Sequence, residues 1–251
     1  MTVAVIVQAR MGSTRLPGKV LQTLVGETVL RHVLRRCAAI PGVDAVCCAI
    51  PETPDSDPVA EEAARCGAVV VRGSELDVLD RYDQAARQLG CDVVMRVTSD
   101  CPLIDPQVAG AVLRLLLDHD AGYASNNLPA SWPHGLDCEA FRREWLEQAA
   151  REARDPFERE HVTPWLKTSP LVRRVNLDGP GGEAQQQRWT LDFPEDLAFF
   201  QALFPLLPSP PALPGWREVW GVLQHHPEIV ALNARRHDSA RPGGPDHPVG
   251  H

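Results

Sequence analysis

The sequence contains no run approaching the roughly 20 consecutive apolar residues that would cross a bilayer, so a membrane-spanning helix is not expected. Its opening residues, MTVAVIVQAR, carry no charged leader. Their apolar run is only about six residues, too short for a secretory signal. CxxC spacing is also lacking. The seven cysteines, an odd number, fall mostly in apolar runs, as Cys47, Cys48 and Cys91 do. A disulfide framework, a zinc site and a thiol nucleophile are therefore set aside in favour of buried thiols in a reducing cytoplasm. Positive charge is in the minority, 25 Lys and Arg against 33 Asp and Glu, a net charge of −8. A general nucleic-acid or anionic-membrane surface is not expected from that balance. A cluster of cations inside so acidic a chain carries correspondingly more information.

What is present suits one α/β unit. Of 251 residues, 44% are apolar, enough for a sizeable core. Strand-like runs at 3–7, 43–50, 68–71 and 92–97 alternate with helical spacing at 27–39, 55–66, 77–89 and 105–118. Alternation through about residue 118 predicts a mostly parallel sheet covered on both faces. Beyond 120 the pattern loosens. Residues 126–134 read as loop, 136–141 and 171–177 as strand candidates, and 142–167 as mostly helical. A short strand at 188–191 precedes a helix at 194–204. Residues 205–215 hold five prolines and read as a linker. The expected organisation is a main domain over 1–204, a helical appendage over 205–234 and a disordered tail over 235–251. Trp216 and Trp220, four apart, read as core or interface packing.

The segment after the first strand is Gln8-Ala9-Arg10-Met11-Gly12-Ser13-Thr14-Arg15-Leu16-Pro17-Gly18-Lys19. It places cations, hydroxyls and glycines at the carboxyl end of a strand, where open α/β sheets bind ligands. Glycines let backbone N–H groups approach phosphate oxygens, and Arg and Lys neutralise them. A polyphosphate is the natural guest; a solvated basic loop is the plainer alternative. The P-loop pattern does not fit, because five residues separate Gly12 from Gly18 and Val20 follows Lys19 where a hydroxyl would hold Mg²⁺. The GxGxxG fingerprint is absent as well. A metal for this loop must come from elsewhere.

Two aspartates meet that need. Asp100 follows the strand at 93–97, and Asp192 follows the short run Trp189 to Leu191. Mg²⁺ takes one or two carboxylates and completes its shell with phosphate oxygens and water. Each also has a structural reading, Asp100 as a cap or turn residue before Pro102 and Asp192 as a helix N-cap before Pro194.

With these residues in hand, the chain resembles the cytidylyltransferase family of CMP-Kdo synthetase and acylneuraminate cytidylyltransferase, especially its spore-coat polysaccharide branch. The segments that carry the resemblance are QARMGSTRLPGKVL (8–21), DVLDRY (77–82), RVTSDCPLIDP (96–106), HGLDCEAF (134–141), REHVTP (159–164) and TLDFPEDL (190–197), together spanning roughly residues 3–200. The resemblance implies a three-layer α/β/α, Rossmann-like nucleotidyltransferase fold of the nucleotide-diphospho-sugar transferase kind. It implies that CTP phosphates bind Arg10, Ser13, Arg15 and Lys19, within a loop that also includes Ala9, Gly12 and Thr14. It implies Mg²⁺ on Asp100 and Asp192, and a homodimer with the 120–170 region in its interface. Thr98-Ser99 stand where Kdo enzymes carry Gln-Gly, and are placed with the nucleotide-binding residues. His134 replaces the branch's usual Arg in Arg-Gly-Leu-Asp.

The implied reaction is attack of an acceptor oxygen on the α-phosphorus of CTP, with pyrophosphate leaving. Arg10, Lys19 and Asp100 are the expected catalytic residues, acting by positioning and charge neutralisation. His134, Asp137, Glu139, Arg159 and His161 are candidates for binding a small acidic acceptor of the sugar-acid type. A structural histidine is the other reading for His161, and a solvated strand face for Asp137 and Glu139. Three rival functions remain open: a glycosyltransferase using a nucleotide sugar, although Ser99-Asp100-Cys101 is not a DxD motif; a cytidylyltransferase acting on a phosphonate or phosphate; and a nucleotide-binding protein without turnover.

Overall fold

A computed structural model of the chain describes residues 1–236. Of the expected disordered tail only Arg235 and Arg236 are among them; 237–251 lie outside the described residues. Strand β1 (Val3–Gln8) leads through the basic loop and a 3-10 turn (Lys19–Leu21) into a small hairpin, β2 (Thr23–Leu24) and β3 (Glu27–Thr28). Val25 and Gly26 turn it, both at positive φ as a type I′ turn requires. Then come α1 (Val29–Ala38), β4 (Ala45–Pro51), α2 (Asp57–Arg65), β5 (Val69–Gly73), α3 (Val78–Leu89), β6 (Val93–Thr98) and α4 (Pro106–Asp118). The later part holds β7 (Tyr123–Ser125), β8 (Glu139–Arg142), α5 (Arg143–Glu152), α6 (Pro156–His161), α7 (Pro164–Thr168) and β9 (Arg174–Asn176). It ends with α8 (Gly182–Gln185), α9 (Pro194–Leu203), α10 (Trp216–Gln224) and α11 (Pro227–Val230).

The main sheet has seven strands in the order β5-β4-β1-β6-β8-β7-β9. β8 is antiparallel to both of its neighbours, and the other pairings are parallel. Six strands therefore run one way, and β1 and β6 bring Gln8 and Thr98 side by side at their carboxyl ends. The strand period of two sorts β1 between two cores. Val3, Val5 and Val7 pack under α1, α2 and α4, while Ala4 and Ile6 pack under α3, α5 and α7. This is the expected three-layer α/β/α arrangement. A third core joins Trp189, Phe199 and Phe200 to Val219 and Leu223, so α10 and α11 pack on the same apolar cluster as α9. In it Trp216 meets Trp132 edge to face at 5.5 Å.

Four sequence expectations change. The first helix starts at Val29, because Glu27–Thr28 is a strand and the Thr28 side chain caps the helix by accepting from Arg31 N. The helical stretch 142–167 is three helices, the second and third each opened by a proline, Pro156 and Pro164. β7 has no counterpart among the strands expected from the sequence. Residues 188–191 form no ladder strand. They are extended chain stitched between two loops: Trp189 N donates to His134 O at 2.6 Å and Leu191 N to Asp100 O at 2.8 Å. All seven cysteines are thiols, six buried and Cys66 partly so. Among the described residues no helix is long and apolar enough to cross a membrane.

Candidate active site

Past Gln8 the chain folds back on itself. Ser13 N and Gly18 N both donate to Met11 O, at 2.9 and 3.3 Å. Gly18 adopts φ 65°, the left-handed conformation that glycine takes without strain. That reversal starts the 3-10 turn with Lys19 aimed back at the sheet edge. The result is an open cleft of about 230 Å³. Its lining holds Ala9, Arg10, Gly12, Ser13, Thr14, Arg15 and Lys19 together with Thr98, Ser99, Asp100, His161 and Asp192. Every residue expected to bind nucleotide or metal thus lines one cavity.

At its floor Lys19 Nζ donates to Asp100 Oδ2 and to Asp192 Oδ1, each at 2.7 Å. Burial alone would lower the lysine's pKa; the two carboxylates overcome it and push it up to about 12. Burial would likewise raise Asp100, but Lys19 and the Thr98 hydroxyl hold its carboxyl well below the usual range. Arg15 lies 3.5 Å from Asp192 Oδ1, and Arg188 donates to Asp192 Oδ2 at 3.1 Å. Neither aspartate caps a helix. The cap of α4 is Asp105, whose carboxylate accepts from Gln107 N and Val108 N. At α9 the backbone N–H groups of Asp192 and Phe193 both go to Asp196, at 2.9 Å each.

Of the residues expected to bind an acceptor, His161 reaches the cleft. It is exposed rather than a core histidine, and its ring packs on Phe157 at 4.4 Å. It ends α6 before Val162, where φ 69° and ψ −53° close a γ-turn that is strained for a β-branched residue. His134 and Asp137 do not line the cleft: His134 Nδ1 is 3.4 Å from Arg188, and Asp137 Oδ2 accepts from Gly135 N at 3.0 Å. Glu139 and Arg159 are turned to other work. Glu139 is 2% exposed, so the solvated-face reading fails for it. It accepts from Arg96 at 2.6 Å, Tyr123 at 2.5 Å and Thr163 at 2.9 Å, and pairs with Lys167 at 2.7 Å. Burial would raise its pKa; Lys167 and Arg96 hold it well below the ordinary carboxylate range instead. Arg159 ties Asp77, at the start of α3, to the Ala150 carbonyl of α5.

The site also contains residues the sequence reading passed over. Gln8, Glu75, Arg81 and Glu160 line the cleft. Arg81 is 2% exposed, and its buried Nε has no acceptor. Arg188 grips Asp196 through two nitrogens at 2.8 and 2.9 Å while reaching Asp192. Burial works against its charge, and the bonds to Asp196 more than offset that, so its pKa rises. Its spacings of four and eight from two aspartates were visible in the sequence, as was Arg81 within DVLDRY.

Among the described residues no three His, Cys, Asp or Glu side chains gather as a metal site. Two carboxylates converging on one cation, the Lys19 ammonium, are nonetheless the donor set that Mg²⁺ accepts when phosphate oxygens and water complete its shell. The residues fit the ion.

The comparisons agree with this geometry. Residues 4–206 match the family model for cytidylyltransferases. The chain is 32% identical to a spore coat polysaccharide biosynthesis protein of Bacillus subtilis, over 79% of its own length and 85% of that protein's. It is 38% identical to a 3-deoxy-manno-octulosonate cytidylyltransferase of an Anaeromyxobacter species, over 45% of this chain and 46% of that one. The solved structure of a cytidylyltransferase from Leptospira borgpetersenii superimposes with a TM-score of 0.87 at 28% identity, covering 95% of this chain and 99% of the other. The chain belongs to the cytidylyltransferase family and is a nucleotidyltransferase.

Proposed function

We propose that this enzyme transfers CMP from CTP to a small acidic acceptor, a sugar acid, and releases pyrophosphate. One observation carries the reading: Asp100 and Asp192 meet on Lys19 within a cleft walled by the basic loop. A bound triphosphate meets Arg10, Arg15, Lys19 and the backbone around Gly12 and Ser13. Arg10 forms no ion pair among the described residues, so its charge is available to phosphate oxygens. Asp100 and Asp192 would hold Mg²⁺, which supplies further neutralisation of the phosphate charge. The acceptor oxygen forms a bond to the α-phosphorus as the bond from that phosphorus to the bridging oxygen breaks; Arg10 and Lys19 stabilise the charge leaving on pyrophosphate. Arg188 holds Asp192 in place and touches His134, one of the residues expected to bind the acceptor.

The sugar-acid acceptor draws support from the relative that acts as a 3-deoxy-manno-octulosonate cytidylyltransferase. Dimerisation through the 120–170 region belongs to the same proposal. The test is pyrophosphate release from each of four nucleoside triphosphates with Mg²⁺ and a panel of sugar acids. Release with CTP and at least one sugar acid supports the reading. Release that ignores the nucleotide, or needs no acceptor, overturns it.

A further inference from the structure

Gln8 is the last residue of β1, and its side chain lines the cleft. That side chain makes one hydrogen bond within the described residues: Oε1 accepts from Nε of Arg96 at 3.3 Å. Register pairs Gln8 with Thr98 and Ile6 with Arg96, so Gln8 and Arg96 stand diagonally on one face of adjacent strands. A guanidinium has donors and no acceptor, so the carbonyl end of the amide must face it. The amide NH₂ is turned the other way and donates to no group among the described residues.

Arg96 is itself held. Its guanidinium donates to Glu139 at 2.6 Å, and Glu139 is fastened by Tyr123, Thr163 and Lys167. The orientation of Gln8 is thus fixed from behind by a buried chain of charge-assisted bonds.

The neighbours decide what such a donor meets. Val78 adds an apolar surface to the cleft lining, and Glu75 and Glu160 add negative charge to it beside the buried Arg81. Carboxylates repel a phosphate or an acidic acceptor but tolerate a flat neutral ring.

We infer that Gln8 reads the nucleotide base, its NH₂ donating to the N3 and O2 acceptors of cytosine, with Arg96 and Glu139 as positioning residues. This rests on the CTP reading above. Uracil is the same size but carries N3–H, a donor, at the position where the Gln8 donor points. The pair would be left unsatisfied, which disfavours UTP.

The test measures dissociation constants for CTP and UTP, with Mg²⁺, on the full chain. Wild type should prefer CTP by about tenfold or more. Gln8→Met should bring the two within a few fold of each other while both still bind through their phosphates. Gln8→Glu keeps one oxygen on Arg96 and offers the other as an acceptor, so its preference should swing towards UTP by about tenfold or more relative to wild type. Glu139→Gln, measured well below its melting temperature, should shrink the CTP preference, an effect that lost stability alone does not produce. A probe that needs no variant is 3-deaza-CTP, which lacks the N3 acceptor and should bind wild type about tenfold more weakly than CTP. Equal binding of CTP and UTP by wild type would remove the CTP reading itself. A wild-type preference for CTP that persists in Gln8→Glu, or 3-deaza-CTP binding as tightly as CTP, would overturn the assignment of Gln8 alone.

Discussion

The ammonium of Lys19 lies 2.7 Å from a carboxylate oxygen of Asp192, although 173 positions separate the two residues. The same nitrogen is 2.7 Å from Asp100, so oxygens of the two carboxylates are no more than twice that distance apart. Two acids brought together from distant parts of the chain repel each other unless a cation stands between them. Lys19 supplies that cation in the protein alone, and the basic loop is folded so that it does.

Loss of loop charge should weaken nucleotide binding without unfolding the protein. Arg10→Ala and Lys19→Ala each remove a charge-assisted contact worth about 1.5–3 kcal/mol, roughly ten- to hundredfold in CTP affinity. Arg10→Ala should leave the melting temperature nearly unchanged, because Arg10 forms no ion pair among the described residues. Lys19→Ala should lower it, since Asp100 and Asp192 are left facing each other. Titration calorimetry and thermal melts check both, and wild-type CTP affinity in both variants would place the nucleotide elsewhere.

Removal of either carboxylate should stop turnover. Asp100→Asn and Asp192→Asn are each expected to lose nearly all activity, and the double variant should be little worse than either, because the two act as one unit. The fold should survive Asp192→Asn, since Arg188 keeps its two bonds to Asp196. Steady-state kinetics with CTP and Mg²⁺ decide the matter; full activity in Asp192→Asn would leave that residue a purely structural part.

Glu139 should make the protein acid-sensitive. Its folded pKa is depressed below the ordinary 4.5 by Lys167 and Arg96. The stability this confers is complete above about pH 4.5 and is lost as pH falls through the lower, folded value. Glu139→Gln leaves the partly buried Arg96 and Lys167 without the carboxylate that pairs them and should cost about 3–5 kcal/mol at neutral pH. Denaturant melts from pH 7 down to pH 3 should show a flatter acid limb for the variant than for wild type. Identical slopes would contradict the assignment.

Arg188→Leu should be among the most destabilising changes near the site. Asp196 is fully buried, and two of its bonds come from Arg188. An uncompensated buried charge costs about 3–5 kcal/mol, or roughly 6–20 °C in melting temperature for a chain of this size. A melting temperature within a degree or two of wild type would refute that role.

The parallel half of the fold was legible because its signals are local. Val3 to Val7 announces a buried strand, and Asp105 with Pro106 announces a helix start. The basic loop and the two aspartates were legible as chemistry, since three cations in so acidic a chain need a reason. Legibility failed where structure depends on distant partners. Tyr123–Ser125 is only three residues long and becomes a strand by pairing with β8 and β9. Trp189 to Leu191 has a strand's composition but spends its hydrogen bonds on the loops at His134 and Asp100. In the sequence Glu139 reads equally as an acceptor ligand or as a solvated acid on an alternating strand; its three-dimensional neighbours, Arg96 and Lys167, hold it buried. Pro156 and Pro164 are local signals too: each disfavours helix in the residue before it and opens a new helix.

The most direct measurement is phosphorus NMR of the products formed from CTP, Mg²⁺ and a sugar acid. CMP transfer predicts one new phosphodiester signal from the CMP adduct, growing in equal amount with pyrophosphate, and neither forming in Asp100→Asn. Pyrophosphate without an adduct, or an adduct that forms only when a nucleotide sugar replaces CTP, would contradict it.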